Sequence, residues 1–101
     1  MSGGNWKVVG GACDWRVEFE IGRGYCTFHA DQFGHVVSYS YTAVSGVDDL
    51  FAVLKDILPV AREAVPPVAG RYGSRFSEHR RKFLKVVARE LNKRQYFPVL
   101  S

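Results

Sequence analysis

His29, Asp31 and His35 fall within seven residues, a density of imidazole and carboxylate that would suit a metal site or an acid–base pair. The local pattern argues against both. Strand periodicity sends His29 to a polar face and His35 to an apolar one, and two imidazoles on opposite sides of a sheet share no metal. His29 is expected across from Glu18 as an ordinary cross-strand pair. Asp31 and Gly34 suit the first and last positions of a type I turn. Two cysteines, Cys13 and Cys26, are too few for a disulfide framework or a four-ligand zinc site, and both read as small buried hydrophobes. Ser38 and Ser40 have no base beside them, and the chain has no G-x-S-x-G elbow and no Cys–His signature. Gly70-Arg71-Tyr72-Gly73-Ser74 lacks the Walker spacing and the preceding strand of a phosphate-binding loop. No catalytic residue, metal ligand or cofactor is assigned, and the protein is expected not to be an enzyme.

The chemistry that stands out is basic. HRRKFLKVVARELNKR, residues 79–94, holds seven Lys and Arg in sixteen positions. Residues 70–101 carry nine bases and two acids, a charge of +7, against −3 for the rest of the chain. Read as a helix, the segment commits Phe83, Leu84, Val87 and Leu91 to a core. Arg81, Lys82, Lys85, Arg89 and Lys93 then share a sector of roughly 120° at about 100° per residue. Arg80 and Arg94 lie nearer the apolar side and serve packing through their stems. Glu78 (toward Arg81 or Lys82) and Glu90 (toward Lys93 or Arg94) are the helical salt-bridge partners, so most of these bases have no local counter-charge. Like charges four apart cost roughly 0.2–0.5 kcal/mol per pair, a cost that use as a binding surface would explain. Arg71 and Arg75, with Tyr72 and Phe76, add to the same end. The expected partner-binding residues are therefore Arg71, Arg75, Arg81, Lys82, Lys85, Arg89 and Lys93.

These residues need a scaffold, and the front half supplies one. WRVEFEI, residues 15–21, alternates apolar and polar, as do YCTFHA and HVVSYSYT, with NWKVV as a shorter first strand. Pairing Ile21 with Cys26, Phe19 with Phe28 and Val17 with Ala30 keeps faces consistent. So does pairing Ala30 with His35, Phe28 with Val37 and Cys26 with Tyr39. Trp15, Val17, Phe19, Ile21, Cys26, Phe28, Ala30, Val37, Tyr39 and Tyr41 then share one dry face. Arg16, Glu18, Glu20, Thr27, His29, Ser38, Ser40 and Thr42 share the wet one.

The back half is helical. Ser45 and Asp48 resemble a capping box. From Val47 the residues Leu50, Phe51, Leu54, Ile57, Leu58, Ala61 and Val65 recur at helical spacing, and Val53, Val60 and Ala64 widen the apolar face. Pro59 sits on the polar stripe, where it kinks or divides the helix, and Pro66-Pro67 ends it. VAGRYGS is a loop, and Ser77 caps a second helix running to about Arg94. The tail QYFPVLS is apolar enough to dock on the domain or on a partner.

The fold class is α+β: an antiparallel β-meander of about four strands with two C-terminal helices packed on one face, ββββαα, one two-layer domain over residues 1–101. An apolar fraction of 47% and a charged fraction of 24% are ordinary for a globular chain. No apolar run approaches the roughly 20 residues of a membrane span, and MSGGNWK has no apolar signal core. A cytoplasmic protein is expected, with no membrane partner. The function that fits is a small binding module acting through its basic helix on an anionic partner. That partner is nucleic acid, read with little sequence preference, or an acidic or nucleic-acid-binding protein surface. One alternative is a phage-encoded stoichiometric inhibitor of a host defence complex, in the manner of anti-CRISPR proteins. Another is a small homo-oligomer, formed through the Ser/Thr edge of residues 38–42 or by acidic sheet meeting basic helix.

Overall fold

The computed structural model describes residues 5–11, 14–30, 36–66 and 74–101, with side chains for all of these except residues 37 and 74–77. Strands β1 (Lys7–Val9), β2 (Arg16–Ile21), β3 (Gly24–Ala30) and β4 (Val36–Thr42) form an antiparallel sheet in chain order. A short strand β5 (Val44–Ser45) follows, then helices α1 (Leu50–Ala64) and α2 (Ser74–Lys93). The chain ends on β6 (Val99–Leu100), which pairs with β5. The α+β meander with two helices on one face is the expected architecture; the β5–β6 pair is an addition.

The faces follow the period-two pattern, but both hairpin registers differ from expectation. Phe19 pairs with Cys26, Val17 with Phe28 and Ile21 with Gly24. The turn is thus only Gly22-Arg23, with Gly22 at φ 57° in the left-handed region, as a tight hairpin turn with Gly first requires. A shift of two in the pairing leaves each side chain on its own face, since the side-chain period is two. In the second hairpin Cys26 pairs with Tyr41 and Phe28 with Tyr39, but Ala30 pairs with Val36 across a bulge. The extra residue restores the alternation that an odd-length connection would invert. The turn assigned to Asp31–Gly34 lies outside the described residues, as do His35, Cys13 and the side chain of Val37. His29 stands opposite Ser38 and not Glu18, which pairs with Thr27. Its Nε2 instead lies 3.7 Å from Asp14 Oδ1.

One cluster of buried side chains holds sheet and helices together. At its centre Trp6 packs against Phe19 at 5.3 Å and Phe28 at 5.7 Å between ring centroids. Trp6 precedes β1 rather than belonging to it. Its backbone is clasped by Asn92 of α2: the Trp6 N–H donates to Asn92 Oδ1 (2.8 Å), and Asn92 Nδ2 donates to the Trp6 carbonyl (3.0 Å). The tail docks on its own domain. Tyr96 stacks on Trp6, Phe97 on Phe19, and Pro98 is buried.

Both helix starts depart from the sequence reading. Ser45 is engaged in β5, opposite Val99, so the Ser45–Asp48 capping box does not form and α1 starts after Asp49, without a side-chain cap. Ser77 lies inside α2, which begins three residues earlier. Pro59 is accommodated within a continuous α1. Leu50, Leu54, Ile57, Leu58 and Ala61 are its buried residues, while Phe51, Val60 and Ala64 are exposed, so its apolar stripe is narrower than expected. Tyr39 and Tyr41 lie on the helix-facing side of the sheet yet remain 44% and 46% exposed; α1 meets Tyr39 through the Phe51 ring, edge-on at 4.8 Å.

Candidate anion-binding ridge

Helix α2 is held on three sides. Phe83, Leu84, Val87 and Leu91 point inward with no exposure, and Val86, Ala88 and Glu90 are buried beside them. On one flank Asn92 grips Trp6, and the Arg81 guanidinium sits 5.7 Å over the Trp15 ring. On another, buried His79 donates from Nε2 to the Pro66 carbonyl at 2.6 Å, which ties α2 to the end of α1.

What this leaves in solvent is narrow. Within the helix, Glu78, Lys82, Lys85, Arg89 and Lys93 are the exposed residues from position 78 on. They span roughly 80° of the helix at about 100° per residue, tighter than the sector expected from sequence. From Lys82 to Lys93 the ridge runs about 16 Å at 1.5 Å per residue.

The expected contact residues divide into three groups. Lys82, Lys85, Arg89 and Lys93 lie together on the ridge, with no ion-pair partner among the described residues. Arg81 is only partly exposed: its Nη1 donates to Glu78 Oε2 at 2.8 Å, and its plane lies over Trp15. It is a flanking cation with two prior engagements. Arg71 and the side chain of Arg75 lie outside the described residues, so they are not joined to the ridge. Of the remaining bases, Arg94 reaches Glu90 at 3.6 Å. Arg80 is half-buried with its Nε enclosed and without a hydrogen-bond partner, in keeping with a packing role for its stem.

The sheet shows the opposite arrangement. Lys7 pairs with Glu20 at 3.6 Å, and Arg16 pairs with Asp14 at 3.1 Å and with Glu18 at 4.0 Å. Burial, and then the neighbouring Glu20 carboxylate, pushes the Glu18 carboxyl above its ordinary range. The acids on the sheet are thus engaged locally, while the cations on the ridge have no such partner among the described residues. On the ridge Arg89 is the side chain with the planar fork that can read a guanine edge, and the amides nearby are committed elsewhere. Asn92 is spent on Trp6, and Gln95 occupies the left-handed position that ends α2.

The other chemically active types are structural. Cys26 is a free, buried thiol pushed up to about 11 by burial, which makes it a poor nucleophile at neutral pH. Among the described residues no three His, Cys, Asp or Glu converge as a metal site, and no helix is long and apolar enough to cross a membrane. Sequence reasoning missed one surface. Val36, Phe51, Leu54, Lys55, Leu58, Pro59 and Arg62 line a groove of about 460 Å³ between α1 and β4. The signal is the wide apolar face of α1, but Phe51 reads as part of the covered stripe and both tyrosines of β4 as covered. No protein-family model, curated protein or solved structure matches this chain.

Proposed function

We propose that this protein is a non-enzymatic binding module that holds nucleic-acid phosphates along the α2 ridge. The observation that carries the reading is the contrast in pairing. Lys82, Lys85, Arg89 and Lys93 stand in one exposed line without ion-pair partners among the described residues, whereas the charges of the sheet are paired. Four such cations act by displacing condensed counter-ions from a polyanion. Their line of about 16 Å spans roughly five nucleotides at about 3.4 Å per nucleotide of one strand. With no free Asn or Gln beside the Lys and Arg of the ridge, adenine edges go unread and binding depends little on sequence, any preference being for guanine through Arg89.

An acidic or nucleic-acid-binding protein surface is the second reading, and a stoichiometric inhibitor of a host defence complex would be of that kind. The composition of the ridge favours phosphate. Protein interfaces are organised around buried aromatic and apolar anchors, and every exposed ridge side chain is charged.

Fluorescence anisotropy with labelled duplex and single-stranded oligonucleotides of several sequences, titrated over a range of salt, tests the proposal. The logarithm of affinity should fall with the logarithm of salt at a slope of about −3 to −4 on duplex, and each Lys or Arg replaced by Ala should flatten it by about 0.9. Affinity should vary little with sequence. Absence of binding at low salt, or a slope that survives replacement of all four residues, rejects nucleic acid as the partner.

A further inference from the structure

We propose that β4 is a self-association edge, and that two copies of this chain join their sheets by antiparallel pairing of β4 with β4 about a two-fold axis at Ser40. The two edges of the sheet differ in kind. β1 is three residues long, and its Lys7 is engaged with Glu20. A short strand bearing a Lys is a usual guard against unwanted pairing. β4 is seven residues, VVSYSYT, with no charge and no proline, and its outer side has no strand partner among the described residues. Apart from the bulge at its start, nothing on it discourages another strand.

Self-pairing matches this strand side chain by side chain. With the axis at Ser40, Tyr39 of each copy faces Tyr41 of the other, Ser38 faces Thr42, and Ser40 meets its own counterpart. Opposed residues in an antiparallel ladder share a face, so aromatic pairs line one side and hydroxyl pairs the other. The aromatic side is already assembled. Tyr39 and Tyr41 stack at 6.0 Å, Tyr39 meets Phe51 edge-on at 4.8 Å, and Phe51 is 41% exposed. Phe51 carries the row on into the groove between α1 and β4. A foreign strand would have to supply a neutral, hydroxyl-and-aromatic alternation of its own, whereas a second copy has it. The guarded β1 edge prevents head-to-tail growth, so the assembly closes as a two-fold dimer. The pairing edge lies apart from the ridge: α2 packs over β1 and β2, at the far edge from β4, so the dimer leaves both ridges open.

Sedimentation equilibrium of the full chain tests the pairing through charge at the axis. The wild-type chain should dimerise reversibly. Ser40→Lys and Ser40→Glu each place like charges face to face and should weaken dimerisation by at least roughly tenfold, with circular dichroism unchanged. An equimolar mixture of the two variants should recover the dimer. In parallel, Ser40→Cys, the mildest change, should form a covalent dimer on oxidation much faster than the wild type, because residues opposite each other across a two-fold lie within disulfide reach. A wild-type chain that stays monomeric up to millimolar concentration overturns the proposal. So does a dimer indifferent to both charges, a mixture that fails to recover, or an Ser40→Cys chain that cross-links no faster than wild type.

Discussion

Tyr96 joins the two ends of the chain. Its hydroxyl donates to the Gly46 carbonyl at 2.6 Å, its carbonyl accepts from Trp6 Nε1 at 2.7 Å, and its ring stacks on the Trp6 indole. Burial, with smaller contributions from Cys26, Asp49 and Asp48, pushes the phenol up to about 12 from an ordinary value of 10.0. A folded pKa above the unfolded one means that this group's stabilisation is complete below the unfolded value. It is lost as pH rises through the folded value, because the unfolded chain sheds the proton first. Tyr96→Phe should therefore cost about 1 kcal/mol at neutral pH, the usual net worth of one hydrogen bond. The gap between wild type and variant, read from urea denaturation, should stay level to about pH 10 and close toward pH 12. A gap that is flat across that window would show that the phenolic proton is not what the contact uses. At this scale the sequence is least informative. An apolar tail suggests docking, but nothing local to Tyr96 signals that Trp6, ninety positions away, supplies its partner.

Among the elements, α2 ends on a geometry that admits one direct improvement. The Tyr96 N–H reaches back to the Leu91 carbonyl at 3.1 Å and the Gln95 N–H to the Asn92 carbonyl at 3.0 Å, the paired bonds of a Schellman motif. The residue that must turn left-handed is Gln95, at φ 57°. A side chain there costs roughly 1–2 kcal/mol, and glycine gives back roughly 0.5–1 kcal/mol through its freer unfolded state. Gln95→Gly should thus raise stability by about 0.5–1 kcal/mol, seen as a higher urea midpoint at constant slope. A lower midpoint would mean that the Gln95 side chain makes contacts worth more than the strain. Elements were the scale best read from sequence, because alternation of Val17, Phe19, Cys26 and Phe28 fixes a face that a register shift of two leaves unchanged. Register itself was less legible: Gly24 reads as part of a turn but pairs with Ile21, and the bulge between His29 and Ala30 leaves no local signature. The Ser45–Asp48 box failed for a non-local reason, since Ser45 is claimed by a strand at the other end of the chain. Alternation also assigns Tyr39 and Tyr41 to the helix side without revealing whether a helix reaches them.

Across the whole molecule, charge is sorted rather than mixed, and that sorting was legible because α2 commits Phe83, Leu84, Val87 and Leu91 inward and leaves its cations one direction to face. What sequence left open was which cations stay free. Arg81 and Arg94 are engaged with Glu78 and Glu90, while Lys82, Lys85, Arg89 and Lys93 have no ion-pair partner among the described residues. A ridge of like charge destabilises the helix that bears it, so its effects on stability and on binding should have opposite signs. Lys85→Glu makes this measurable. It removes the repulsions of Lys85 with Arg81 and Arg89 and replaces them with attractions at the same spacing. At roughly 0.2–0.5 kcal/mol per pair this gives a gain on the order of 1 kcal/mol. The variant should melt higher than the wild type at low salt, and the difference should shrink as salt screens both effects. Its affinity for oligonucleotides should fall well below that of the wild type in the same buffer. A solvated face with no partner would show the gain in melting temperature and no loss of binding. A surface kept for phosphate shows both, and the pair of measurements on one variant separates the two cases.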